Sequence, residues 1–285
     1  MGQAAVGRVL SLWRYPVKSM IGEQLDRSDV TERGLLGDRA YAVVDTADGS
    51  VVSAKNPRKW PKMFFCEAAF TEAPSAEKIP PVRITLPSGT RVSSEQTDVH
   101  QILSAEFGRE VTLRATPPGA ARSGMLSAGD DGLVADETVS EFALAEGAPA
   151  GTFFDYATIL LLTTATLGKF EALYPAGRFE PRRFRPNLLI ETASGDNDFV
   201  ENSWVGRTLA IGDEIRLRVQ VPCPRCVMTT LPQNELPHDP GILRTAAQHN
   251  KLMIPEFGKA LACVGVYAAV ARGGVLRRGD ACRLE

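Results

Sequence analysis

Ile215-Arg216-Leu217-Arg218-Val219-Gln220-Val221 alternates apolar and polar side chains without a break. Successive side chains of a strand point to opposite faces, so this stretch predicts one buried and one solvated face. Working outward, segments rich in β-branched and aromatic residues at 6–13, 39–45, 63–70, 82–86 and 111–115 read as strands. Asp48-Gly49, Asn56-Pro57 and Pro87-Ser88-Gly89 separate them as turns. A helix opens near Thr97 or Asp98 and runs to Phe107, where Gly108 can cap it. Strands at this spacing predict a sandwich or barrel, not a doubly wound parallel sheet.

The second half alternates strands and helices. Residues 158–162, 187–190, 208–211, 264–269 and 281–284 read as strands, with helices from Thr163 or Thr164 to Leu173 and over 239–249. Between the halves, Pro117-Pro118-Gly119 opens a Gly/Ala/Ser-rich stretch reaching residue 150. From Asp130 to Glu146 it holds six acidic residues and no basic one, the pattern of a linker or surface excursion. A domain boundary is expected near 120.

Composition narrows the class. With 285 residues, 44% hydrophobic and 23% charged, the chain can bury a large core and is neither disordered, collagenous nor coiled coil. A net charge of −2 gives no general pull toward nucleic acid or anionic membrane, so any anion site must be local. Five cysteines, an odd and sparse set, do not suggest a secreted disulfide scaffold, and a cytoplasmic setting is expected. The apolar stretch 4–13 is broken by Arg8 and too short for a signal peptide or a membrane span.

Cys223-Pro224-Arg225-Cys226 is the most pointed chemical feature. A C-x-x-C pair serves zinc, dithiol redox, or a thiolate bound to another soft metal. His238 and His249, twelve and twenty-three residues after Cys226, fit no common zinc spacing. Val227–Thr230 is poorly helical, and no βαβ unit surrounds it, which disfavours thioredoxin-type redox. A thiolate beside a basic residue, suited to a soft metal or to sulfur transfer, stays open. So does the plain alternative of two small buried hydrophobes. Arg178, Arg182, Arg183 and Arg185 form a second cluster, ending in Arg185-Pro186-Asn187. Arginine forks bind phosphate bidentately, although a solvated charged face would look the same. Tyr15-Pro16-Val17-Lys18-Ser19 and Gly37-Asp38-Arg39 add lysine, serine and arginine at strand ends, where a phosphorylated compound could be held.

Together these elements carry a resemblance. In order, Tyr15-Pro16-Val17-Lys18-Ser19, Gly34-Leu35-Leu36-Gly37-Asp38-Arg39, Phe184-Arg185-Pro186-Asn187, Cys223-Pro224-Arg225-Cys226 with Thr229-Thr230, and Gly265-Val266-Tyr267 are similar to MOSC-domain proteins that carry an N-terminal β-barrel domain. Within that family the chain most resembles the amidoxime-reducing-component branch. The resemblance implies a mainly β fold with a few helices: an N-terminal MOSC-type barrel over 1–120 and a MOSC barrel over 121–285. It also implies a molybdenum cofactor, a metal held by molybdopterin, with Cys226 as the protein thiolate ligand. By the same match Lys18, Ser19, Arg39, Tyr156, Arg185 and Asn187 line the pterin and its phosphate, while Asp155 and Tyr267 join Cys226 at the reacting centre. Tyr156-Ala157 departs from the hydroxyl-bearing pair of the mitochondrial forms.

The implied activity is reduction of N-hydroxylated compounds: amidoximes, hydroxylamines or N-oxides. Asp38, Asp155 and Tyr267 are candidate proton donors. Neither a cluster-like cysteine run nor an N-terminal anchor is visible, so electrons are expected from a separate ferredoxin, flavoprotein or haem protein. Neither nucleic acid nor membrane is expected as a partner. MOSC domains also occur in molybdenum-cofactor sulfurases, which leaves a persulfide or cofactor carrier as the alternative.

Overall fold

The alternating stretch becomes one wall of a closed barrel. The computed structural model describes residues 4–115, 121–127, 139–192 and 197–285. In it Ile215–Pro224 is a single strand whose odd-numbered side chains, from Ile215 to Cys223, are all buried. Seven strands form the barrel: β1 (Ala4–Arg14), β2 (Ile159–Thr163), β3 (Leu188–Glu191), β4 (Thr208–Ile211), β5 (Ile215–Pro224), β6 (Lys259–Arg272) and β7 (Ala281–Leu284). Their order is β2-β3-β1-β7-β4-β5-β6, and β6 pairs back onto β2. Closure leaves the wall no free edge. Every pairing is antiparallel except β2–β3, whose crossover contains the helix Thr164–Leu173. That helix is capped by the Thr163 side chain, which accepts from Thr166 N at 3.2 Å. Leu12, Leu161, Leu188, Ile190, Leu209, Ile215, Leu217, Val219 and Val266 fill the interior.

A second core lies under the N-terminal half, around Val17, Met20, Val43, Met63, Phe64, Ile84, Leu103 and Leu113. It is covered by the pair Ala42–Asp45 with Val111–Arg114, by the meander Glu67–Phe70, Val82–Thr85 and Arg91–Ser93, and by the helix Val99–Phe107. Gly108 ends that helix in a left-handed conformation, φ 67°. The fold is therefore mainly β with a few helices, as expected. The boundary near 120 falls outside the described residues. The sheet runs across it: β1 lies between β3 and β7, and Arg27–Thr31 pairs with Gly274–Arg277.

Two expectations need correction. Residues 63–70 are not one strand; Met63–Phe65 is a 3-10 turn, and only Glu67–Phe70 is extended. The turn buries the neighbouring Met63 and Phe64 together, which the alternation of a strand forbids. The described parts of the acidic stretch are also structured. Arg122–Leu126 and Val139–Ala143 form a hairpin, tied to the body where Val51 N donates to Arg122 O at 2.8 Å and Leu126 N to Lys55 O at 2.9 Å. Backbone pairing to residues 51–55 holds it despite its polar composition. Among the described residues no helix is long and apolar enough to cross a membrane.

Candidate active site

Strand β5 ends at Pro224, where barrel and N-terminal core meet. Cys226 follows in an extended conformation, and Val227–Thr230 then coils into a 3-10 turn. Met228 and Cys226 pack against the N-terminal core. Two arginines fix this turn. Arg225 donates through Nε to Val264 O at 2.8 Å and through a terminal nitrogen to Phe184 O at 2.9 Å. Arg183, 1% exposed, donates to Thr229 O at 3.2 Å and Pro237 O at 2.9 Å. Opposite Arg225, Gly265 in β6 has φ 76°, and a Cβ there would lie 2.4 Å from Leu161 O. Gly265→Ala is therefore expected to destabilise by ~2 kcal/mol or more, lowering Tm by roughly 4–8 °C in a thermal melt; an unchanged Tm would remove this constraint.

All nine residues carried over by the resemblance line one cavity of 420 Å³: Lys18, Ser19, Arg39, Asp155, Tyr156, Arg185, Asn187, Cys226 and Tyr267. On one side Lys18 Nζ donates to Asp155 at 2.5 Å and to Phe153 O at 2.8 Å, and Lys55 Nζ reaches the other Asp155 oxygen at 3.1 Å. Burial lowers the Lys18 ammonium to about 8, with Asp155 opposing. Burial also opposes ionisation of Asp155, but the two ammoniums prevail and hold its carboxyl well below the usual range. Asp155 thus remains a carboxylate at neutral pH.

Arg39 and Arg185 stand around Tyr15, with guanidinium carbons 4.4 and 4.2 Å from its ring centroid. Arg185 also donates to Met20 O at 2.7 Å, and burial lowers its guanidinium to about 10. Ser19, Arg39 and Arg185 adopt φ 65°, 49° and 54°, three of the five left-handed non-glycine residues described. Such conformations cost free energy and persist where the surrounding structure forces them, commonly at ligand sites. Asn187 supports this wall from behind. Its amide donates to Asp38 at 2.9 Å and Trp13 O at 3.2 Å and accepts from Leu160 N at 3.1 Å. Asp38 in turn accepts from Tyr15 N at 2.7 Å and pairs with Arg39.

The two cysteines of the motif differ. Cys223 is fully buried on the inward parity of β5, and burial pushes its thiol up despite the pull of Arg225. Cys226 is half-buried on the cavity wall, and burial likewise raises its thiol, with Lys55 the main opposing influence. Tyr267 faces Cys223, and burial holds its hydroxyl protonated, well above its ordinary range. No group of three or more His, Cys, Asp or Glu positioned for a metal occurs among the described residues. The arrangement offers a metal one sulfur, and offers an anion a cationic wall.

Not every singled-out residue belongs here. Arg178 and Arg182 pair with Glu180 outside the cavity, and Arg182 also with Glu235. Arg183 reaches the lining, but its hydrogen bonds go to main-chain carbonyls. Conversely, Lys55 lines the site beside Cys226 without having been singled out. It sits next to the Asn56-Pro57 turn, and only the fold brings it to Asp155.

The chain matches the family model of the MOSC N-terminal beta barrel domain over residues 6–118 and that of the MOSC domain over residues 149–283. It is a MOSC-domain protein. It is similar to mitochondrial amidoxime reducing component 2 of Homo sapiens, at 26% identity over 96% of this chain and 82% of that protein. Mitochondrial amidoxime-reducing component 1 of Mus musculus is 25% identical over 96% of this chain and 81% of its own. Among solved structures, the YUAD protein from Bacillus subtilis aligns over 99% of this chain and 97% of its own, at 12% identity and a TM-score of 0.47.

Proposed function

We propose that this protein binds a molybdenum cofactor in the cavity, with Cys226 as the protein ligand of the metal. We propose further that it reduces small N-hydroxylated compounds with electrons from a separate donor protein. The observation that carries this reading is the convergence of all nine residues on one cavity at the barrel's end. The donor set fits the group. Lys18, Lys55, Arg39 and Arg185 line it; Asp155 pairs with the two lysines, Asp38 pairs with Arg39, Glu141 and Glu146 also reach the lining, and Arg185 donates to a main-chain carbonyl, so a phosphate dianion would find cations already in place. Cys226 is the one cavity-lining cysteine, and a thiolate suits a soft-ligated metal.

When bound, the cofactor supplies the two-electron chemistry that breaks an N–O bond. The net reaction takes an amidoxime, two electrons and two protons to an amidine and water. The chain's part is to bind, orient and hold protons. Of the candidate donors, Asp155 is held as a carboxylate and Asp38 is absent from the cavity lining. Tyr267 retains its proton, and the Lys18 ammonium is a second acid on the cavity wall.

The test is to express the protein in a host that makes the cofactor, measure molybdenum and pterin, and assay benzamidoxime with a chemical reductant. Near-stoichiometric metal and formation of benzamidine are expected. Metal-loaded protein that leaves benzamidoxime intact would sink the reductase. A cyanide-labile sulfur on Cys226 without turnover would replace it with a carrier.

A further inference from the structure

The cavity has two kinds of wall. One is the cationic wall with Cys226; the other is aromatic and joins Tyr156 and Tyr267 to Phe142 and Phe257, which lie outside the motif set. Phe142 projects from Val139–Ala143, while Tyr156 and Phe257 line the cavity from two other segments. The Tyr156 ring lies 5.3 Å from Phe257 and 5.7 Å from Tyr267, a continuous aromatic surface leading in to the motif residues. Phe142 is fixed in place. Lys55 Nζ lies 4.2 Å from its ring centroid while pairing with Asp155, and the hairpin is hydrogen-bonded to the body at Val51 and at Lys55 itself. Met125 from the opposite hairpin strand lines the same cavity.

We propose that this hairpin is the substrate-selecting wall of the site. Phe142 packs against the flat aryl part of an N-hydroxylated substrate whose N–O group is turned toward Cys226. Planar rings gain both buried area and stacking from such a surface, whereas hydroxylamine, which has no carbon, gains neither. Phe142 is thus a specificity-determining residue for aryl amidoximes and aryl hydroxylamines over hydroxylamine itself. The inference rests on the proposed reaction for turnover, but not for binding.

Isothermal titration of the cofactor-loaded protein with benzamidoxime, alongside steady-state kinetics with benzamidoxime and hydroxylamine, separates the outcomes. Phe142→Ala is expected to weaken benzamidoxime binding and raise its KM roughly tenfold with kcat retained. Hydroxylamine kinetics should stay within about twofold of the parent. Phe142→Leu keeps apolar bulk without the ring and should fall between them, guarding against a variant that does not fold. Three results would overturn the inference: parent protein that does not bind benzamidoxime, variants that bind it as tightly as the parent, or an equal loss for both substrates. Benzamidoxime that binds through Phe142 but is never reduced would remove the reductase and leave this wall standing.

Discussion

Cys226→Ser protein from a cofactor-making host should carry no molybdenum and show at least a hundredfold less of the proposed benzamidoxime reduction than the parent, while Cys223→Ala stays within about tenfold of the parent in both. The two residues stand three positions apart, and their surroundings make opposite demands. Cys223 continues the inward parity of β5, 0% exposed, with its thiol raised by burial and against Tyr267. Truncating it removes one small apolar group, a loss of about 1 kcal/mol in stability. Cys226 is past the strand end and half-buried, and lines the cavity with Lys55. Compared metal-free, Cys226→Ser should melt close to the parent, because one atom of a half-buried side chain is exchanged at the edge of the core. Metal analysis of the two purified variants, with melting curves as the folding control, decides the matter. A Cys226→Ser protein that still carries stoichiometric molybdenum and pterin would dismiss it as the ligand, and loss of metal from Cys223→Ala alone would transfer the role.

That contrast was partly legible in the sequence. The alternation from Ile215 fixes the parity of β5, and counting on by two places Cys223 inside and leaves Cys226 beyond the strand. Barrel strands with clear composition, such as Thr208–Ile211 and Ala281–Leu284, were equally readable. What could not be read was closure. Nothing local says that Ala4–Arg14 pairs with β3 and β7, because partner choice depends on the whole barrel. Short edge pieces such as Glu23–Leu25 and Gly34–Leu35 are too brief to show a period. Within the site, motif residues announced themselves through unusual combinations such as Lys18-Ser19 and Arg185-Pro186-Asn187. Lys55 and Phe142 carry no such mark. Each is ordinary in its own segment, and each matters because backbone hydrogen bonds between residues 51–55 and the hairpin bring them onto Asp155 and onto one another. The acidic composition of this region, read as a linker or surface excursion, gave no sign of the hairpin or of its place at the cavity.

The ion trio of Lys18, Asp155 and Lys55 yields the second large effect, on stability and its pH dependence. Asp155→Asn leaves two ammoniums, 5% and 13% exposed, without their shared counter-ion. Removing one member of an enclosed pair costs several kcal/mol. The Asp155 side chain keeps 34% of its surface open, so solvent screening reduces the expected loss to about 2 kcal/mol. Because the folded carboxyl is held below its unfolded value, the stabilisation is complete above the unfolded pKa of about 4 and fades as pH falls through the folded value. The Tm gap between parent and variant should therefore be fully developed near pH 5 and narrow below about pH 4. A gap that stays the same down to about pH 3, or that is missing near pH 5, would mean the trio does not act as a coupled pair of bridges. The same pairing bears on the reaction. A carboxyl held ionised cannot deliver a proton near neutrality, but Asp155 holds the Lys18 ammonium up, so the variant's kcat profile should keep its acidic limb and move its basic limb to lower pH. Loss of the acidic limb would instead make Asp155 the proton donor and relegate Tyr267 to a bystander.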